Sequence, residues 1–128
     1  MRRLGDVLLE LQRSRDHLRP DPVAHEAVRL VERAKGRRRM DALVGDLNVS
    51  ARRLERRFLA QVGLSPKLYS RLVRFDRAVR DLGARGEVPW SQFALAHGYT
   101  DQAHFINEFR EFAGVTPAQY EVETRRMV

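Results

Sequence analysis

The sequence has no cysteine. That excludes a disulfide framework and thiolate metal sites, and it is consistent with a reducing compartment. No apolar run approaches 18 residues, and no signal-peptide core opens the chain, so neither a membrane span nor export is read from it. Lysine is nearly missing: of 24 basic residues, only Lys35 and Lys67 are lysines. Catalytic signatures are missing too. The four histidines, His17, His25, His97 and His104, enter no His-Glu-x-x-His pattern, and there is no nucleophile elbow or glycine-rich phosphate loop. His104 and Glu108 stand four apart and offer two metal ligands, but no third is in view. No catalytic residue, metal site or cofactor is therefore expected.

What is present is positive charge. The formal net charge is +7 and the sequence pI about 10.9, a balance that points to a polyanionic partner. Arginine suits forked contacts to phosphate and guanine, although G+C-rich coding also enriches it. The charge is uneven. Residues 50–80 hold nine basic side chains against Glu55 and Asp76, whereas 86–124 hold only Arg110 against six acids. With 43% hydrophobic residues, the chain can bury a core as one domain or as two small lobes.

Apolar periodicity is helical throughout, loops are short and no segment reads as a strand, so the fold class is all-α. A sheet presenting aromatic platforms to RNA is thereby disfavoured. Residues 3–18 form an amphipathic pattern that Pro20-Asp21-Pro22 ends. Asp21 and Pro22 open a second helix, and Gly36 is its expected C-cap. Arg37-Arg38-Arg39 connects to a short helix, 41–46, then a turn at Asn48 and a helix 51–62 capped by Ser50. The stretch 65–82 reads as one long helix, roughly 27 Å of it, with Leu68, Leu72, Phe75, Val79 and Leu82 on its apolar stripe. A second short helix, 90–96, a turn at His97-Gly98-Tyr99 and a helix 101–112 follow, with a last helix opened by Thr116-Pro117. A short helix, a tight turn and a longer helix make a helix-turn-helix, here twice. Trp90 is expected in the core.

The duplication is visible residue by residue. Leu54, Phe58, Gly63, Leu64, Ser65, Pro66 and Tyr69 match Phe105, Phe109, Gly114, Val115, Thr116, Pro117 and Tyr120 at a constant offset of 51. On a helical wheel Leu54 and Phe58 face inward. Arg52 and Arg56 then point away, flanked by Glu55 and Leu59, with Arg53 and Arg57 nearer the core. Two like-charged i,i+4 pairs cost roughly 0.2–0.5 kcal/mol each in a free helix. That cost makes sense opposite a phosphate-lined groove. In the second helix Phe105 and Phe109 face inward. Ala103 and Asn107 point out beside Gln102, Ile106 and Arg110.

The block Trp90-x-x-Phe-Ala-x-x-x-Gly-Tyr-x-Asp-Gln-Ala-His-Phe-x-x-x-Phe-Arg-x-x-x-Gly-x-Thr-Pro-x-x-Tyr120 closely resembles the signature of AraC/XylS-family transcription regulators. The resemblance covers roughly residues 22–124. It implies a bacterial, cytoplasmic, nucleoid-associated regulator that binds double-stranded DNA through two helix-turn-helix subdomains, 41–62 and 90–112. The long linker helix 65–82 joins them within a DNA-binding domain 20–128. The matching base-reading positions are Arg52, Glu55 and Arg56, then Gln102, Ala103, Ile106 and Asn107. Arg53, Arg57, Arg71 and Arg110 are expected on phosphate. Three positions depart from the family pattern: Val44 for a small residue, Asn48 for the turn glycine, and Asn107 for a frequent arginine. Residues 1–19 read as a linker or the remnant of a sensor domain, and a small-molecule effector would act only through such a domain, absent here. RNA polymerase is a further candidate partner, and an adaptor role through the acidic second lobe is the alternative function.

Overall fold

The computed structural model describes residues 19–127 together with Asp6, Glu10 and Arg13. Among these residues seven helices follow one another and no strand occurs. They are α1 (Pro22–Arg33), α2 (Met40–Leu47), α3 (Ala51–Val62), α4 (Pro66–Leu82), α5 (Trp90–Ala96), α6 (Gln102–Ala113) and α7 (Pro117–Arg126). The fold is all-α, as the sequence implies. Apart from the three helical positions 6, 10 and 13, the helix expected over 3–18 lies outside the described residues. The chain divides into two compact units, Met1–Asp76 and Arg77–Val128, and α4 carries the chain from the first into the second.

Local chemistry sets the helix ends. Ser50, Ser65, Asp101 and Thr116 each accept a backbone N–H three residues on, from Arg53, Leu68, His104 and Gln119. Thr116 and Gln119 complete a reciprocal capping box. The repeated segments end α3 and α6 alike. Gly63 at φ 91° and Gly114 at φ 78° take the left-handed conformation, and each N–H donates to a carbonyl four residues back at 2.9 Å. The repeated aromatic pairs agree as well: Phe58 meets Tyr69 edge-on at 5.6 Å, and Phe109 meets Tyr120 edge-on at 5.6 Å. The duplication read in the sequence is thus a duplication of geometry.

In the first unit α1 packs on α3 and α2, and α2 on α3. Its core is Ala24, Ala27, Val31, Leu43, Leu54, Phe58 and Tyr69. Tyr69 donates its hydroxyl to Glu32 at 2.7 Å, and burial together with that carboxylate raises its pKa. In the second unit α5 and α7 each pack on α6. Phe105 lies at its centre, with Tyr99, Phe93, Phe109 and Trp90 rings between 5.0 and 6.1 Å away.

Three features differ from the sequence expectation: the buried side of α4, Trp90 and Gly36. The buried side of α4 is Tyr69, Ser70, Phe75, Ala78 and Leu82, whereas Leu68, Leu72 and Val79 are only half-buried. Small residues let neighbours approach closely, and a stripe drawn through large apolar residues overlooks them. Trp90, expected inside, is half-buried at the core edge, with the Arg85 guanidinium 3.7 Å above its ring. Gly36 is not the first left-handed residue after α1. Lys35 takes that conformation at φ 57°, and Gly36 follows at φ 74°. A Cβ on Gly36 would stand 2.4 Å from the Ser70 carbonyl oxygen and 2.6 Å from the Arg74 nitrogen, so close approach to α4 requires glycine here.

Candidate nucleic-acid interface

The first helix-turn-helix is α2 and α3. Its turn rests on Asn48, left-handed at φ 54° and ψ 43°, which fills the role of the usual glycine. Counting four back from that residue gives Val44, and four back from Gly98 gives Ala94. Ala94 is fully buried, while Val44 is half-buried against the edge of the first core. The second turn, from Gly98 at φ 85° to the cap Asp101, is one residue longer than that from Asn48 to Ser50.

The inward residues Leu54 and Phe58 are 1% and 0% exposed, which fixes the rotation of α3. Arg52, Arg53, Glu55 and Arg56 are all exposed. Among the described residues no carboxylate forms an ion pair with Arg52, Arg53 or Arg56. Asp46, a natural partner in the sequence, is taken by Arg38. Arg57 behaves differently from its neighbours. Its Nε donates to Asp21 Oδ2 at 2.8 Å, and the pair is largely shielded. Asp21 Oδ1 accepts from the N–H groups of Val23 and Ala24, and the Asp21 N–H donates to Gln61 Oε1 at 2.9 Å. Arg57 holds the Asp21 carboxyl below its ordinary pKa range, helped by those backbone donors and opposed by burial. The arginine expected on phosphate therefore pins α3 to the start of α1. Arg71 is half-buried on α4 and engaged within the chain.

In the second unit Gln102, Ala103, Asn107 and Arg110 are exposed and Ile106 is half-buried. His104 accepts the Thr100 N–H on Nδ1 at 3.2 Å and meets Tyr99 edge-on at 5.1 Å. Glu108, four residues on from His104, is buried at 4% exposure. Among the described residues no group of three or more His, Asp or Glu gathers as a metal site.

Two interactions that fix this unit were not read from the sequence. Arg85 donates through Nε and Nη2 to both Glu121 oxygens at 2.9 and 2.7 Å and through Nη1 to the Val88 carbonyl. This fork holds α7 and lowers the Glu121 pKa. His97, which closes α5, faces two acceptors: Nδ1 the Phe93 carbonyl at 2.9 Å, and Nε2 the Asp81 carboxylate at 2.8 Å. Each of these contacts spans residues distant in sequence or joins a helix end to a neighbour, where periodicity is blind.

Two helix-turn-helix units, each presenting the outer face of its second helix, define a class of DNA-binding domains. A family model for the helix-turn-helix domain matches residues 43–122, and the chain belongs to the AraC-type helix-turn-helix family. The HTH-type transcriptional regulator MtrA of Neisseria gonorrhoeae is 29% identical over 103 residues, which cover 79% of this chain and 33% of MtrA. The chain thus spans about a third of the length of that curated relative. The C-terminal domain of AraT, a response regulator from Geobacillus stearothermophilus, superimposes with a TM-score of 0.75 at 25% identity, covering 82% of this chain and 88% of that one. The DNA-binding domain of the global transcriptional factor AdpA, solved with a target DNA, gives a TM-score of 0.73 at 24% identity over 84% of this chain and 96% of its own, a likeness of fold.

Proposed function

We propose that this chain is the DNA-binding part of a bacterial transcription regulator and that α3 and α6 each enter a major-groove segment of double-stranded DNA. The observation that carries the proposal is the outer face of α3, where Arg52, Arg53 and Arg56 crowd together, none of them ion-paired with a carboxylate among the described residues, and Glu55 is the one acid beside three cations. Such a face is electrostatically costly until phosphates oppose it. Arg52, Glu55 and Arg56 read bases in the first segment; Gln102, Ala103, Ile106 and Asn107 read the second. Arg53, Arg71 and Arg110 hold phosphates, while Arg57 orients α3. Residues 20–128 are the DNA-binding domain.

The test is selection of genomic fragments by the purified chain, followed by a salt titration on the recovered site. Six neutralised phosphates give a slope of log K against log salt of about −5. A nearly flat slope, or recovery of no common sequence, rejects the proposal.

A further inference from the structure

Among the described residues five large apolar side chains stand exposed, and only Leu59 belongs to a recognition helix. It is 52% exposed. At 100° per residue it falls within about 20° of Arg52 and between Glu55 and Arg56, one turn further along the same face. It does not join the fringe of the first core, which takes Val62 and Leu64 from the residues that follow. A lone exposed leucine is ordinary on a protein surface. Its company gives this one a meaning. The excess of positive charge from Arg52, Arg53 and Arg56 over Glu55 suits this face to DNA, and the apolar group a base pair offers in the major groove is the C5-methyl of thymine.

We infer that Leu59 is a specificity-determining residue that packs on a pyrimidine C5-methyl group next to the base pair contacted by Arg56. The inference rests on the reading of α3 as a recognition helix. The duplication sharpens it. At the offset of 51 the second module has Arg110 in this place, so the two modules differ there between an apolar contact and a cation. Leucine offers no hydrogen bond, and its contribution is the area it removes from water together with that methyl. One methyl buried in this way is worth about fourfold in affinity.

The experiment uses the 128-residue chain and the site it selects from a random duplex library. The segment read by the first module is the one whose preferences relax in Arg56→Ala. Each thymine in that segment is replaced singly by deoxyuridine, which removes only the methyl. At the sensitive position, cytosine and 5-methylcytosine are compared in the same way, separating the methyl from the base that bears it. The expected result is one position where deoxyuridine weakens binding about fourfold and 5-methylcytosine improves on cytosine by a similar factor. Both differences vanish in Leu59→Ala and in Leu59→Lys, while Arg56→Ala keeps the thymine-to-uridine ratio despite its lower affinity. A flat deoxyuridine series, or a ratio that survives in Leu59→Ala and Leu59→Lys, overturns the inference alone, provided Arg56→Ala still loses affinity. A chain that selects no sequence overturns the reading of α3 and the inference with it.

Discussion

Two glycines separate what a backbone needs from what it merely tolerates. Gly36 combines φ 74° with a Cβ position 2.4 Å from the Ser70 oxygen, whereas Gly45 sits within α2 with nothing within 4 Å of its Cβ position. Gly36→Ala should cost at least about 2 kcal/mol, from left-handed strain plus displacement of α4. Gly45→Ala should stabilise by about 0.5–1 kcal/mol, because helical glycine loses backbone entropy on folding. Urea unfolding of both variants checks the pair, and equal effects would refute the distinction. The carboxylates give a second residue-scale prediction. Asp21 beside Arg57 and Glu121 beside Arg85 both titrate below their unfolded values. Their contribution is complete above the ordinary carboxylate pKa values of about 4 and is lost as pH falls through the depressed folded values. Stability measured from pH 7 downward should therefore fall on an acid limb that Asp21→Asn and Glu121→Gln flatten. At neutral pH, Glu121→Gln should cost roughly 3 kcal/mol, since it leaves a shielded guanidinium without its charge partner.

At the scale of the element, helix ends were legible in the sequence and helix rotations only in part. The bounds of α3 and the start of α4 follow from Ser50, Gly63, Ser65 and Pro66, residues whose chemistry acts within one turn of themselves. The inward face of α3 was legible because Leu54 and Phe58 are large and isolated among polar neighbours. On α4 the apolar residues span a wide arc, and the small Ser70 and Ala78 turned out to occupy its buried side. Leu72→Ala should accordingly cost no more than about 1–2 kcal/mol, while Phe58→Ala should cost about 3–5. Denaturant midpoints with unchanged slopes decide this, and a larger loss for Leu72 would restore the original stripe. The pairing of Arg57 with Asp21 was illegible for another reason. Its partner lies 36 positions earlier, and a wheel drawn on one helix cannot reveal a cation engaged from outside it.

For the whole molecule, the contrast between modules predicts an unequal division of labour. Arg52 and Arg56 face outward where Ala103 and Asn107 face outward in the second module. Arginine takes guanine with a fork, asparagine takes adenine, and alanine reaches no further than a methyl group. On one operator at fixed salt, Arg56→Ala should cost about 1–3 kcal/mol and relax one base pair. Asn107→Ala should cost less, and Asn107→Arg should strengthen binding to many sequences. If Asn107→Ala proves the more damaging, the ranking of the modules is wrong. The matched Gly63 and Gly114 turns and the matched Phe–Tyr pairs carry a consequence for how such a protein changes over generations. The interior of each copy is a socket held to one pattern, and the outward letters of its second helix are free of that pattern. On the proposed division of roles, one copy can be rewritten while the other keeps the gene useful, and new target sites become reachable by edits made outside the core.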